Sequence, residues 1–305
     1  MASHNAPSRP LFGISFRVAA MVNFAMMAAL VKAGAAAGVP LIELVFFRNL
    51  FGMLPILVWM YFQGGPRLLA TRNPRAHLLR GAIGLVSMAF NFLAVVSLPL
   101  NEATAIGFSM PLFSTILSAM LLSEHVGRHR WAAVAAGFVG ILILVRPDPA
   151  QFVGWGAIYA LLGALGTAGV TVAIRQITAT ENPIAITFYF SLIASLASGL
   201  ILPFVWEPVS LVTLAGMIAM GVVGGIAQAF MTSSLRYAPV SLVVPFDYTQ
   251  ILWIGIIAWL FFGEVPHVAT LIGGPVVICS GLYILWRETV RHGASRLAAA
   301  PTQSA

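Results

Sequence analysis

The chain has 305 residues, of which 60% are hydrophobic and 8% are charged, and its formal net charge is +7. A soluble globular chain has roughly a quarter charged residues, so this composition excludes a water-soluble fold of this size and predicts a membrane protein. The single cysteine, Cys279, excludes an intramolecular disulfide and a cysteine-based metal site. The six histidines lie in tails or near the ends of apolar segments, so we expect neither a metal nor another cofactor.

Apolar segments follow one another along the chain, divided by charged, polar or proline-containing gaps. A spanning helix needs about 20 apolar residues, and on that measure we predict ten transmembrane helices. They lie at 12–32, 41–62, 77–98, 102–123, 131–146, 152–173, 183–204, 211–232, 240–262 and 267–287. No segment alternates apolar and polar residues as barrel strands do, so the predicted fold class is an all-α integral membrane protein. The gaps around 99–101 and 148–151 predict tight turns, and 288–305 predicts a disordered cytoplasmic tail.

The positive charge falls mainly on one side of the predicted bundle. If the chain begins in the cytoplasm, 13 of its 16 lysines and arginines lie on the inner side and 2 on the outer side, while Arg48 lies within a span. By the positive-inside rule both termini are cytoplasmic, and we expect a multi-pass protein of the cytoplasmic (inner) membrane. This distribution indicates that the basic residues face a lipid bilayer, so we expect that the protein does not bind nucleic acid.

An internal repeat relates the two halves of the chain. A shift of 140 residues aligns 12–147 with 152–287, and each of these halves holds five predicted spans. Matched pairs are Gly81 and Gly221, Gly84 and Gly224, Pro99 and Pro239, and Glu124 and Glu264. Because five is odd, the second half starts on the opposite face. We therefore predict two inverted five-helix repeats, with a substrate site near the membrane midplane between them.

Two equivalent stretches resemble the EamA-type, ten-helix branch of the drug/metabolite transporter superfamily. The first is 101–108, followed by Pro111 and ending at Glu124; the second is 236–245, ending at Glu264. The resemblance covers roughly 12–287 and implies a secondary transporter that moves a small organic metabolite, such as an amino acid, a vitamin or an amphipathic drug-like compound, by alternating access. Asp247 stands where that family more often has a small or uncharged residue.

Motifs that the sequence lacks bear on the energy source for transport and on the alternative functions. It has no Walker-type glycine loop, so we expect coupling to a proton or substrate gradient. The spans offer no cluster of His, Asp and Glu and no nucleophile beside a base, so we predict that the protein is not an enzyme. A non-transporting receptor or assembly protein on the same fold stays open. Stripes of small residues allow either internal packing or a dimer seam, so the protein is a monomer or a homodimer.

Two ionisable residues stand out well away from the ends of their predicted spans, where such residues are functional by default. Arg48 is about 10 Å deep in the span 41–62 at about 1.5 Å per residue. It stays protonated, so it can bind a substrate carboxylate or phosphate; a structural ion pair or snorkelling to the interface is the alternative. Asp247 lies about 10 Å in from the cytoplasmic end of 240–262. Burial favours its neutral form, which suits a proton-coupled or amine-binding carboxylate; a fixed bond to Arg48 or to a freed amide is the alternative.

Further candidates surround these two. On the span of Asp247, the residues Tyr248, Gln250 and Trp253 form a stripe that lines a cavity or packs a helix interface. Asn23 and Asn91 either line the cavity or join helices. Pro111 and Pro245 each lack a backbone donor and so free the carbonyl four residues earlier, at Gly107 and Ser241 respectively, which predicts either a paired gate or ordinary kinks. Glu43, Glu102, Glu124 and Glu264 lie near helix ends and are left out of the site; for Glu124 and Glu264 we expect a structural role, such as holding the start of the next helix.

Overall fold

The computed structural model describes residues 10–121, 128–145, 154–177, 181–237 and 243–298. Within these residues the regular structure is helical. The α-helices are α1 (Pro10–Ala36), α2 (Leu41–Gln63), α3 (Pro74–Ser97), α4 (Leu100–Gly107), α5 (Met110–Leu121), α6 (Arg128–Val145), α7 (Trp155–Ile177), α8 (Pro183–Val205), α9 (Leu211–Tyr237), α10 (Gln250–Phe262) and α11 (Val268–Ala298). Two 3₁₀ helices lie at Pro66–Leu69 and Val244–Thr249.

Six of the described helices, α1, α2, α3, α7, α8 and α9, are long and apolar enough to cross a membrane by length and composition. Shorter apolar helices lie at Trp131–Leu144, Phe246–Phe262 and Val268–Ile284. Each of the ten predicted spans contains helix in its described part. A helix satisfies every backbone group internally, which is what a lipid solvent demands. The predicted fold class, an all-α integral membrane protein, is confirmed.

Two predicted spans are broken rather than continuous, at equivalent places. In 102–123 the helix α4 ends at Gly107, and the amide of Ser109 bonds to the carbonyl of Ile106 at 2.9 Å, a 3₁₀-type bond. The carbonyl of Ser109 then accepts from Leu112 at 2.9 Å and begins a new helix, α5. In 240–262 a 3₁₀ helix precedes α10, and the first residues of α5 and α10 are 140 positions apart. Pro111 is the second residue of α5 and Pro245 is the second residue of the 3₁₀ helix; neither can donate to the turn before it, which favours a break at these places.

Helices that match under the 140-residue shift occupy exchanged positions in the bundle. Helix α1 packs on α9, and its counterpart α7 packs on α3, the counterpart of α9. Helices α2 and α8 pack on each other, as do α6 and α11. Such an exchange of contacts is what a two-fold relation between the halves produces, and it brings α2, α3, α8 and α9 together near the centre of the molecule.

The backbones of α2 and α9 approach closely. A Cβ atom on Gly221 would lie 2.6 Å from the carbonyl oxygen of Phe47, and one on Gly225 would overlap the carbonyl oxygen of Gly52. Glycine permits this spacing because it has no side chain to separate the helices. The contact holds the part of α2 that carries Arg48 against the second half of the chain.

The start of α3 is capped by a carboxylate from the second half. Glu181 accepts hydrogen bonds from the backbone amides of Arg72 at 3.0 Å and Asn73 at 3.1 Å, and its other oxygen lies 3.3 Å from Nε2 of His77. Burial disfavours the charged form of Glu181, but these hydrogen bonds outweigh that effect and hold the pKa of the carboxyl below its ordinary value.

One predicted turn is present in the structure, whereas the carboxyl-terminal segment differs from the prediction. Helix α3 ends at Ser97 and α4 begins at Leu100, so the tight turn predicted around 99–101 is present. The turn predicted around 148–151 lies outside the described residues. Helix α11 continues to Ala298, so 288–298 is helical where we expected a disordered tail. That stretch contains no proline and is rich in arginine, alanine and other good helix formers, which favours continuation of the helix.

Candidate functional site

Two buried arginines converge on one aromatic ring between the halves. Arg48 on α2 is 7% exposed and Arg80 on α3 is 6% exposed. Their guanidinium carbons lie 5.6 Å and 4.1 Å from the centre of the Phe190 ring on α8. Among the residues that the structure describes, no carboxylate lies within ion-pair distance of either guanidinium. We call Arg48 and Arg80 the arginine pair.

The hydrogen-bonding capacity of the arginine pair is largely unused. Nη1 of Arg48 donates to the side-chain oxygen of Asn49 at 2.9 Å. Nε of Arg48, and Nε and Nη1 of Arg80, are buried without a partner among the described residues. Guanidinium groups donate five hydrogen bonds in a fork that matches carboxylate and phosphate. Because a buried charge without a partner is costly, this arrangement favours occupancy by an anion.

A narrow pocket opens beside Arg48. It holds about 200 Å³ of empty space, including the part that meets the surface. Its lining comes from α2, α8 and α9: Arg48, Gly52, Ile56, Thr187, Phe190, Ser191, Gly224, Gly225 and Gln228. Only a small part of that space is wide enough to admit a water-sized group, so the pocket is closed to a whole metabolite in this conformation.

Asp247 pairs with Arg17, and Arg48 makes no contact with it. Both oxygens of Asp247 accept hydrogen bonds from the Arg17 guanidinium, through Nε and Nη2. The Arg17 side chain on α1 is 8% exposed and that of Asp247 is 26% exposed. Arg17 is one of the 13 inner-side charges, but it also falls inside the predicted span 12–32. A charged residue inside a span needs a buried partner, so this position is the signal in the sequence for the ion pair.

A second ion pair ties α1 at its other end. Lys32 bonds to Glu264, just beyond α10, and donates to the carbonyl of Leu98 at 2.9 Å. The other oxygen of Glu264 accepts from the amide of Leu100, the first residue of α4, at 2.8 Å. Glu264 thus holds the start of a helix, as expected, but that helix belongs to the opposite half. Its counterpart Glu124 lies outside the described residues.

The remaining candidates on the span of Asp247 lie around the helix break. The Tyr248 ring is 9% exposed and its centre lies 4.9 Å from that of Phe108. Trp253 packs into the apolar cluster that contains Ala25, and Gln250 is half-buried as the first residue of α10. The hydroxyl of Tyr248 and Nε1 of Trp253 are buried without partners among the described residues. They offer two free donors close to the break.

The two asparagines differ in what they hold. Nδ2 of Asn23 donates to the carbonyl of Ala19 at 2.8 Å, within its own helix. Nδ2 of Asn91 donates to the carbonyl of Ser87 at 2.8 Å and lies 3.2 Å from Oγ1 of Thr167 on α7. Asn91 therefore joins α3 to α7, which fits the helix-joining alternative.

The three residues expected to form a gate lie at the breaks. Pro111 is the second residue of α5, so it starts a helix rather than kinking one, and Pro245 is the second residue of the 3₁₀ helix. Gly107 ends α4, and a Cβ atom placed on it would meet nothing within 4 Å. Ser241 lies outside the described residues. In the described part of the chain, no group of three or more His, Cys, Asp and Glu could hold a metal ion.

A bundle of membrane helices with a charged pocket between its halves defines a membrane transporter, and comparison with known proteins assigns its family. The EamA-like transporter family matches residues 11–146 and 154–286, and the chain belongs to that family. The pseudopaline exporter CntI of Pseudomonas aeruginosa is 30% identical over 270 residues, which cover 87% of this chain and 93% of that protein. The resemblance predicted from the sequence is confirmed.

Other relatives carry different substrates in their names. The S-adenosylmethionine uptake transporter of Rickettsia felis is 26% identical over 81% of this chain and 83% of its own length. The riboflavin transporter of Rhizobium johnstonii is 27% identical over 94% of this chain and 95% of its own length. A crystal structure of a protein with 19% identity matches 89% of this chain and 98% of its own with a TM-score of 0.59, which shows the shared fold. The chain is thus a small-molecule transporter and a multi-pass membrane protein, in a family whose relatives here are named as transporters.

Proposed function

We propose that the protein moves an organic anion, a metabolite with a carboxylate or phosphate group, across the cytoplasmic membrane by alternating access. The arginine pair carries this proposal. Two cations contact one aromatic ring, have free donors and lack a carboxylate partner among the described residues. Cation–π contact offsets about 0.5–2 kcal/mol of the cost of burying each guanidinium. An anionic group between them would satisfy both the charge and the donors.

The ion pairs of α1 supply a mechanism for alternating access. Arg17–Asp247 ties α1 to the 3₁₀ helix at the predicted cytoplasmic end, and Lys32–Glu264 ties α1 beyond α10 at the predicted outer end. Both ties are closed in this structure, which fits the small pocket. Opening the cavity to either side releases one tie and keeps the other, while the two inverted five-helix halves rock about the breaks.

This mechanism refines the role expected of Asp247. With Arg17 bound to both oxygens, the carboxylate closes the cytoplasmic end, and it becomes free for a proton or an amine only when that end opens. The energy source is a proton or substrate gradient, since the sequence has no Walker-type loop.

Uptake by purified protein in proteoliposomes tests the anion requirement. Two labelled probes suffice at first: S-adenosylmethionine, which carries a carboxylate, and riboflavin, which carries none. Unlabelled amino acids, dicarboxylates, sugar phosphates and amines then compete. We expect competition by compounds with carboxylate or phosphate groups, and loss of it in Arg48→Ala.

Arg75 provides the matched control, because it is an exposed arginine on α3. Arg75→Ala keeps the wild-type competition profile. Transport confined to neutral or cationic compounds, with Arg48→Ala fully active, would remove the arginine pair from the substrate site.

A further inference from the structure

A second buried charge-bearing side chain lies on the same helix as Arg48. Glu43 stands in the first turn of α2, at the predicted outer end, and is 0% exposed. Both of its side-chain oxygens lack a hydrogen-bond partner among the described residues. The backbone amide of Glu207 is directed at the carboxyl and offsets part of the cost of its burial, whereas the Glu207 carboxylate adds a like charge nearby.

These surroundings favour the protonated form of Glu43. An ionised carboxylate without partners is among the most expensive groups to bury, and a neighbouring negative charge adds to that cost. The next residues in the chain, Leu44 and Val45, belong to a buried apolar cluster with Val31 and Val39. The amino-terminal position of Glu43 on α2 favours the charged form, but the helix dipole is weak beside the loss of all hydration.

The charged groups on the packed helices do not neutralise Glu43. On α1, Lys32 is bound to Glu264 and to a backbone carbonyl. On α2 itself, Arg48 bonds to Asn49 and lies against Phe190, as does Arg80 on α3. From the α8–α9 connection, only the acidic Glu207 is directed at it among the described residues.

An open groove lies next to this position on the predicted outer side without reaching Glu43. A groove of about 940 Å³, including open solvent, lies between the α1–α2 and α8–α9 connections. It is lined by Ala37, Gly38, Pro40, Glu207, Pro208, Val209, Ser210 and Thr213. Glu207 therefore faces both the groove and Glu43, and Pro40 precedes Glu43 by one helical turn. A small movement of the α8–α9 connection would open Glu43 to the groove.

We propose that Glu43 binds the proton that drives transport, and that the proton enters from the predicted outer side past Glu207. This rests on the proposed function, because it supplies that function with its ion. Glu43 and Arg48 are five residues apart on one helix, about 7.5 Å along its axis. A movement of α2 that exposes one therefore moves the other, which links proton binding to release of the anion. Asp247 is less suited to this role, because Arg17 already neutralises it.

Carbodiimide labelling tests the proton site without any substrate. Dicyclohexylcarbodiimide reacts with protonated carboxyl groups in apolar surroundings, and mass spectrometry locates the product. In full-length protein in lipid nanodiscs, we expect labelling of Glu43 at pH values above the ordinary range of a carboxyl group. Glu207 is exposed and stays unlabelled at these values. Absence of label on Glu43 at these pH values would overturn the proposal.

Gradient-driven uptake tests coupling. With S-adenosylmethionine or a better substrate from the competition screen, an imposed pH gradient stimulates wild-type uptake several-fold. Glu43→Gln loses this stimulation, Glu43→Asp restores part of it, and the control Glu207→Gln keeps it. Equal stimulation in wild type and Glu43→Gln would overturn the proposal. Complete loss of uptake in both Glu43 variants would also overturn it, by assigning Glu43 a structural role. The labelling of Glu43 uses no substrate, so it tests the proton site even if the competition assay shows that transport does not require an anion.

Discussion

Replacing Arg80 with methionine removes one of two like charges that share the Phe190 ring. The change takes away a buried guanidinium with no carboxylate partner among the described residues and leaves an apolar side chain of similar length. Replacing buried charges by apolar residues is often neutral or stabilising by about 1–4 kcal/mol. Against this, the lost contact with Phe190 at 4.1 Å costs about 0.5–2 kcal/mol. We therefore expect Arg80→Met to raise the free energy of unfolding by about 1–2 kcal/mol while anion transport falls at least tenfold.

Thermal unfolding in detergent micelles measures the first effect, and proteoliposome uptake measures the second. A gain of this size corresponds to a rise of a few degrees in Tm. Arg75→Met, an exposed change on the same helix, should shift stability by less than about 0.5 kcal/mol. A fall in Tm of several degrees for Arg80→Met, with transport retained, would show that Arg80 is a structural group and would refute the reasoning.

Three further predictions concern the ion pairs and the cap of α3. Asp247→Asn leaves Arg17 unpaired, so we expect the free energy of unfolding to fall by about 2–4 kcal/mol, seen as a lower Tm. The cytoplasmic tie can then no longer close, so we expect abolished or uncoupled transport with normal membrane insertion; an unchanged Tm with unchanged transport rates would contradict this. Glu264→Gln removes the charge bound to Lys32 and should lower stability by about 1–2 kcal/mol, recovered in part by Glu264→Asp. The pKa of Glu181 is lower in the folded protein than its ordinary value, so the stability that its carboxylate contributes is complete above about pH 4.3. That stability is lost as the pH falls towards the pKa in the folded protein. Plots of Tm against pH for wild type and Glu181→Gln should therefore converge at low pH, and a constant difference between them would contradict the assignment.

The helices could be predicted from the sequence because hydropathy and lipid thickness act on local stretches. The broken spans show the limit of that approach. The chain stays apolar on average on both sides of Gly107, so hydropathy gives no sign that α4 ends there. Pro111 did signal a disturbance, but whether a proline kinks a helix or starts a new one depends on which carbonyls its neighbours reach. Here Ser109 supplies the acceptor and a new helix begins.

The candidate site was harder to predict, because partners there come from distant parts of the chain. Arg48 and Asp247 stood out as single residues, but Arg17 lies 230 positions from its partner Asp247. Arg80 falls near the start of the span 77–98, where an arginine ordinarily reaches the interface, so its burial depends on Phe190. Glu43 looked interfacial for the same reason. Burial of a residue near a helix end is decided by the connections that cover it, and hydropathy does not describe these.

The contact between Phe108 and Tyr248 has a consequence for the energies of the transport states. These residues are 140 positions apart, so in the proposed two-fold arrangement each ring meets its own counterpart across the axis. The two rings are not identical, because only Tyr248 carries a hydroxyl. The two sides of the proposed gate are therefore chemically different, which allows the inward-open and outward-open states to differ in energy before any ligand binds.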